Sequence, residues 1–148
     1  MLTVFEFIAI FTCSLFAGAA VYINVVEHPA RMYCGTEIAS TVFGPSYRRA
    51  TVMQASLALV ATVSALVTWW LSDSVLWITG ALLIFSVVPF TLLVILPTNQ
   101  QLLAPGLDRA APTTHQLLVR WGRLHAIRSV ASVAAIIIFL IAVLRTAL

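Results

Sequence analysis

The chain has 148 residues, of which 61% are hydrophobic and only 9% are charged. A soluble domain carries about 25% charged residues because its surface faces water, so this composition excludes a soluble globular protein. The formal net charge is +3, yet no basic cluster lies on a soluble element, which argues against a nucleic-acid partner.

Long uncharged segments indicate helices that span a lipid bilayer, since about 20 residues at a rise of 1.5 Å cross a hydrocarbon core of about 30 Å. The first span is expected to end at Glu27, His28 and Pro29, because proline disfavours the helical conformation at the residue before it. Residues 72–74 form a tight connection, and the last helix is expected to begin near Thr114. The predicted spans are residues 2–26, 50–71, 75–96 and 126–144.

These spans predict one all-α domain over residues 1–148, an integral membrane four-helix antiparallel bundle. Arginine-rich connections remain in the cytoplasm, which predicts that both termini lie on the non-cytoplasmic side. We expect a protein of the bacterial inner (cytoplasmic) membrane, with the lipid bilayer as its partner and room for a homo-oligomer or a partner subunit. The connections after the first and third spans hold Arg31, Arg48, Arg49, Arg109, Arg120 and Arg123, whereas the opposite side holds Arg145.

Small and polar side chains form one stripe on each of three helices, at 100° per residue. Lipid is as apolar as leucine, so small and polar residues, not hydrophobic ones, mark the face that packs inside a membrane bundle. We expect these stripes to face inward. They are Glu6, Cys13, Ala17, Ala20, Asn24 and His28 on the first helix, Gln54, Ala58, Ala61, Ala65 and Thr68 on the second, and Trp121, His125, Arg128 and Ser132 on the fourth.

Polar side chains from all four helices converge at the predicted cytoplasmic end of the spans. Ionisable groups at membrane depth are costly, so their presence there indicates a functional site. We expect a pocket at this end that opens to the cytoplasmic interface. Its candidate residues are Asn24, His28, Gln54, Asn99, Trp121, His125 and Arg128.

A simpler structural role could account for each of these residues taken alone. Arg128 could extend to the lipid headgroups, and Trp121 could belong to the aromatic belt at the membrane interface. His28 could cap a helix end, and the polar amides could form hydrogen bonds between helices. His125 and Arg128 share one stripe opposite His28, and this combination points to a functional site more specifically than any of the residues alone.

Three sequence motifs stand at the ends of the first and third spans and at the start of the fourth helix. They are Asn24-x-x-x-His28-Pro29, Pro89-Phe90-Thr91 leading to Pro97-Thr98-Asn99-x-x-Leu102, and Trp121-x-x-x-His125-x-x-Arg128. Together they resemble the anthrone-oxygenase-like family of small four-helix membrane proteins. The resemblance covers nearly the whole chain, and the asparagine and Trp-His-Arg elements are its most specific part.

The resemblance implies that dioxygen oxidises a hydrophobic aromatic substrate, anthrone-like or quinol-like, without flavin or haem. The sequence contains no dinucleotide fingerprint and no C-x-x-C-H haem attachment. Imidazole titrates near neutral pH, which suits a general base, and arginine and asparagine donors suit a developing oxyanion. The implied roles are His125 as first candidate base, His28 as the second, Arg128 and Asn99 as oxyanion holders, and Trp121, Asn24 and Gln54 as substrate contacts.

Two alternatives remain open from the sequence. His28, Glu27 and His125 could form a two-histidine, one-carboxylate iron site, although adjacent residues such as Glu27 and His28 point about 100° apart on a helix. We predict no metal ligand and no cofactor, while the sequence leaves a metal ion open. The other alternative is non-enzymatic, a membrane accessory subunit or a lipid- or quinone-binding protein.

Overall fold

The computed structural model describes residues 1–147, with side chains through Arg145. The described residues form four helices, each long and apolar enough to cross a membrane, and no strand occurs among them. The predicted domain 1–148 ends at Leu148, which lies outside the described residues. The helices are α1 (Leu2–Tyr33), α2 (Thr36–Ser72), α3 (Val75–Leu102) and α4 (Pro112–Ala147).

The helices extend past the predicted spans at the arginine-rich end. α1 continues through Pro29 to Tyr33, and the polar stretch after it is mostly helical, so the prediction that proline ends this helix is wrong. α3 likewise continues through Pro97. At 1.5 Å per residue, helices of 28 to 37 residues are about 42–56 Å long. Their polar ends therefore project beyond a hydrocarbon core of about 30 Å.

A π-helical segment precedes each of these two prolines. Proline lacks an N–H group, and in a regular helix its ring clashes with the carbonyl four residues back. Ile23–Glu27 in α1 and Thr91–Ile95 in α3 are π-helical, and the N–H of the next residue bonds to the carbonyl five residues back. The wider turn accommodates the proline ring, so the helix continues. Such π-bulges are rare and frequently occur at functional sites.

Short connections join α1 to α2 and α2 to α3, while residues 103–111 join α3 to α4. Between α1 and α2 the chain turns at Cys34 and Gly35, and the φ of 97° at Gly35 favours glycine because a Cβ would be strained there. Asp73 ends α2 in the left-handed conformation, which aspartate tolerates better than most residues. The antiparallel order of the helices and the side of the membrane on which the termini lie stay predictions.

Small residues bring the helix backbones together inside the bundle, as the stripes predicted. Their side chains permit close approach where lipid offers no hydrophobic driving force. Five of these positions are at most 2% exposed, which confirms the predicted inward faces: Ala17, Ala20, Ala58, Ala61 and Ser132.

Two apolar clusters fill the bundle at different depths. The turn-side cluster lies toward the α2–α3 turn, where Trp77 stacks on Phe139 with ring centroids 5.1 Å apart. It also includes Phe16, Ala58, Ile84 and Val87. The arginine-side cluster lies toward the other end and includes Ile23, Phe43, Ile95, Leu102, Leu118 and Trp121. The space between these clusters is where the polar side chains meet.

Candidate functional site

A cavity of about 140 Å³ lies between the two apolar clusters, and residues of all four helices line it. Most of the wall is apolar, with a few polar side chains that converge on one volume, as is typical of small-molecule sites. His28 and Asn24 do not lie on this wall. The predicted site residues that do are Gln54, Asn99, Trp121, His125 and Arg128.

The cavity opens sideways, between α2 and α3. Nearly all of its lining residues are buried or half-buried, and the exposed ones are Thr51, Ala55 and Leu92. Toward the arginine-rich end, buried Phe43 and Trp121 of the arginine-side cluster lie across it. Aromatic packing occupies that end, and the expectation of a pocket open to the cytoplasmic interface stays a prediction.

His125 receives its orientation from α1. Its ring is 2% exposed, and Nδ1 lies 2.6 Å from Oδ1 of Asn24. The Nδ2 of Asn24 donates to the carbonyl of Gly122 at 3.0 Å, which turns the amide oxygen toward the ring. An amide oxygen only accepts hydrogen bonds, so Nδ1 carries the proton and Nε2 has the free lone pair. Ser129 also donates to Asn24 Oδ1, at 2.6 Å.

Arg128 lies inside the bundle and does not extend to the headgroups. Its Nη2 donates to Oε1 of Gln54 at 2.8 Å, and its guanidinium carbon lies 5.5 Å from the centre of the Phe16 ring. Its Nε is buried and has no hydrogen-bond partner among the described residues. Because Gln54 is neutral, the positive charge remains available to an anion in the cavity.

Asn99 lines the cavity and has an unsatisfied side-chain amide. The residue is 1% exposed, and within the described chain neither Oδ1 nor Nδ2 has a hydrogen-bond partner. A buried polar group without a partner costs about 1–3 kcal/mol. Both amide atoms of Asn99 are therefore candidates for hydrogen bonds to a bound molecule.

His28 lies behind Trp121, outside the cavity. The two rings are 5.2 Å apart, and Trp121 in turn stacks on His125 at 4.8 Å with an interplanar angle of 29°. A Cβ added at Gly122 would lie 2.6 Å from Nε2 of His28, so glycine lets α1 approach α4 here. His28 therefore contacts the site through Trp121, and its predicted role as a base stays a prediction.

Arg31 is a cavity residue that the sequence reasoning missed, because it was counted among the topology-determining arginines. It is 9% exposed, it lines the cavity, and its Nη2 donates to Oε1 of Glu27 at 2.7 Å. Ser46 donates to the same carboxylate oxygen at 3.1 Å. One signal could have revealed it: His28-x-x-Arg31 repeats the spacing of His125-x-x-Arg128.

Comparison with known proteins identifies the family. The sequence profile described as anthrone oxygenase matches residues 43–138. An anthrone oxygenase of Aspergillus fumigatus, tpcL, is 33% identical over 131 residues, which cover 82% of this chain and 81% of the relative. The chain belongs to the anthrone oxygenase family. No solved structure matches it.

Membership of the anthrone oxygenase family confirms the resemblance inferred from the three motifs. The profile match includes most of α2, all of α3 and most of α4, and hence Gln54, Asn99, His125 and Arg128. Asn24 on α1 lies outside it, so the contact of Asn24 with His125 comes from the structure alone. The relative is fungal, and it lends no support to the bacterial inner membrane that the sequence suggested.

The structure does not bring Glu27, His28 and His125 together as the two-histidine, one-carboxylate metal site considered from the sequence. Glu27 is paired with Arg31 and Ser46, while His125 is bound to Asn24. Among the residues that the structure describes, no three His, Cys, Asp or Glu side chains form a group able to hold a metal ion. The prediction that the protein needs no cofactor is left for experiment.

Proposed function

We propose that this protein is a membrane-embedded oxygenase that oxidises a hydrophobic aromatic substrate, anthrone-like or quinol-like, with dioxygen and without flavin or haem. The observation that carries the proposal is the orientation of His125. Its Nδ1–H is held by Asn24, so Nε2 is the basic atom, and the ring lines a mostly apolar cavity. The family of the chain supplies the reaction class.

The first step is removal of a proton from the central methylene of the anthrone by Nε2 of His125. The methylene is acidic because its anion is an aromatic, phenolate-type ion whose charge resides largely on the carbonyl oxygen. Arg128 and Asn99 have free donors on the cavity wall that stabilise this oxygen. Such stabilisation is stronger in a site that excludes water than in bulk solvent.

Dioxygen then accepts electrons from the anion. A carbon–oxygen bond forms at the former methylene, and the proton held by His125 completes a hydroperoxide. His125 removes the second hydrogen from that carbon, the O–O bond breaks, and the departing hydroxide takes up a proton as water. One anthrone and one dioxygen thus yield one quinone and one water, with no electrons left over.

The direct test is oxygen uptake by the purified protein in mild detergent, with emodin anthrone as substrate. We expect His125→Ala to lower the rate by a factor of about 10² to 10⁴, the usual contribution of a positioned base. Arg123→Ala, which removes an exposed cation from the same helix, is the matched control and should retain full activity. Metal analysis and a chelator in the same assay test the absence of a cofactor.

A rate for the unmodified protein no faster than the uncatalysed background would contradict the proposal for this substrate class. The non-enzymatic alternative, a lipid- or quinone-binding protein or an accessory subunit, predicts that outcome together with retained binding of the quinone. Equal activity of His125→Ala and the unmodified protein would instead remove His125 from the mechanism.

A further inference from the structure

We propose that the cavity exchanges its aromatic ligand with the lipid phase through the gap between α2 and α3, so that the ligand never crosses the aqueous interface. The inference takes only the class of ligand, an apolar polycyclic aromatic, from the proposed function. It concerns the route to the cavity and holds whether or not the ligand is oxidised.

The exposed residues of the cavity wall define the gap. Thr51 and Ala55 lie on α2, Leu92 lies on α3, and the remaining lining residues are buried or half-buried. The side chains that α2 contributes at this point are small, and Ala50 continues the same small surface. An opening bordered by alanine and threonine leaves room for a flat ring system.

The depth of the gap places it against lipid tails. α2 and α3 are joined by the turn between Ser72 and Val75. Ala55 precedes Ser72 by 17 residues, and Leu92 follows Val75 by 17 residues. At 1.5 Å per residue both lie about 26 Å from the turn. A hydrocarbon core of about 30 Å that begins at the turn therefore includes both positions, near its arginine-rich boundary.

Toward both ends of the bundle the cavity is closed by packed side chains. Toward the turn, Phe16, Ala58 and Val87 are at most 3% exposed. Toward the arginine-rich end, Phe43 and Ile95 are each 1% exposed. The rings there are in contact, since Phe43 meets Trp121 edge-on with centroids 5.2 Å apart. A ligand that entered along the bundle axis would have to separate these side chains, whereas one dissolved in lipid reaches the exposed part of the wall between α2 and α3 directly.

The test blocks the gap chemically after the protein has folded. Ala55→Cys is made in a Cys34→Ser background, and the new thiol is modified with a benzyl methanethiosulfonate. Cys13 is buried and stays in place. The protein is held in lipid nanodiscs, and uptake of radiolabelled 9,10-anthraquinone is followed over time. Ser56→Cys, the next residue, is exposed but does not line the cavity, and it is the matched control.

We expect modification at Ala55→Cys to slow quinone uptake about tenfold or more, within the range by which access changes association rates. Reduction of the mixed disulfide should restore the original rate, which excludes misfolding as the cause. Modified Ser56→Cys should remain within about twofold of the unmodified protein.

Equal rates for modified Ala55→Cys and modified Ser56→Cys would overturn the lateral route. Failure of the unmodified protein to take up anthraquinone would also overturn it, since the cavity would then not bind this class of ligand. Uptake through the gap without any oxygen consumption would leave the inference standing and contradict only the proposed function.

Discussion

The basic nitrogen of His125 is selected by a residue on another helix. Asn24 accepts from Nδ1 and donates to the carbonyl of Gly122, so its amide cannot reverse without placing its oxygen against that carbonyl. Fixing one tautomer matters because the two ring nitrogens exchange donor and acceptor roles between tautomers. We therefore expect Asn24 to act as a positioning residue. It does not line the cavity, and its role as a substrate contact stays a prediction.

Replacing Asn24 with alanine should lower kcat about tenfold to hundredfold and leave KM nearly unchanged. The reason is that Nδ1–H loses a hydrogen bond worth about 1–3 kcal/mol when buried, and each 1.36 kcal/mol changes a rate about tenfold. Steady-state kinetics with emodin anthrone would measure both constants. Thr62→Ala removes a buried hydroxyl that bonds only within its own helix, and it should leave kcat unchanged. A rise in KM alone would make Asn24 a substrate contact after all.

Gly122 is the second residue on which the site geometry depends. A methyl group there would meet the His28 ring, which is already packed against Trp121. Gly122→Ala should therefore destabilise the protein by about 1–3 kcal/mol, as overpacking generally does, and lower the thermal midpoint in detergent. Gly18→Ala is the control, because a Cβ at Gly18 meets no atom within 4 Å.

A second substitution tests the cause of that loss. Adding His28→Ala to Gly122→Ala removes the side chain that the new methyl group meets, so the double variant should recover part of the stability. Simple additivity of the two losses would show that His28 and Gly122 do not act on each other.

At the scale of the element, the π-bulges decide where the polar side chains lie. A π-turn contains one more residue than a regular turn. The residues after it therefore face the directions that a regular helix one residue shorter would give them. In α3 the bulge Thr91–Ile95 precedes Asn99, and in α1 the bulge Ile23–Glu27 contains Asn24. Both bulges thus lie where their helix contributes a polar amide to the site.

Deleting Val94 from the α3 bulge, together with Pro97→Ala, should yield a regular helix in which Asn99 still faces the cavity. Deleting Leu82 from the regular part of α3 should instead rotate every later residue by about 100° and prevent folding. Val94 and Leu82 are both lipid-exposed, so the two deletions are matched. Gel filtration and thermal unfolding in detergent compare them. If the Val94 and Leu82 deletions lose folded protein equally, the π-helical segment of α3 is not a one-residue insertion.

At the scale of the whole molecule, charge predicts the orientation in the membrane. Arg31 is not counted among the arginines that set the orientation, because it is buried and paired with Glu27. Its removal does not alter the sign of the asymmetry, since the exposed arginines still favour one end. They are Arg48, Arg49, Arg109, Arg120 and Arg123 at one end and Arg145 at the other.

We therefore expect the α1–α2 turn on the cytoplasmic side and both termini on the other side. Cys34 in that turn is exposed, whereas Cys13 is buried. A membrane-impermeant maleimide should label Cys34 only after intact cells are permeabilised. Val75→Cys in a Cys34→Ser background places the thiol at the opposite turn, and it should label without permeabilisation. The reverse pattern would invert the topology.

Amino-acid composition and the spacing of small residues were enough to predict four membrane helices and their inward faces. The reason is that both are local properties: a run of apolar residues must be long enough to cross lipid, and alanine at helical spacing permits close packing. The motif residues Asn99, His125 and Arg128 were likewise recognisable, because they are polar at membrane depth.

Tertiary structure alone decided which of these residues share a cavity. Proline predicts a helix end locally, but a π-bulge lets the helix continue through Pro29 and Pro97, and sequence pattern does not encode that bulge. Displacement of His28 behind Trp121 depends on how α1 packs against α4, a long-range contact. Burial of Arg31 likewise depends on tertiary packing, since the Glu27 that it binds is also bonded by Ser46 of α2. The sideways opening between α2 and α3 arises in the same way, since a gap exists only once the helices around it are in place.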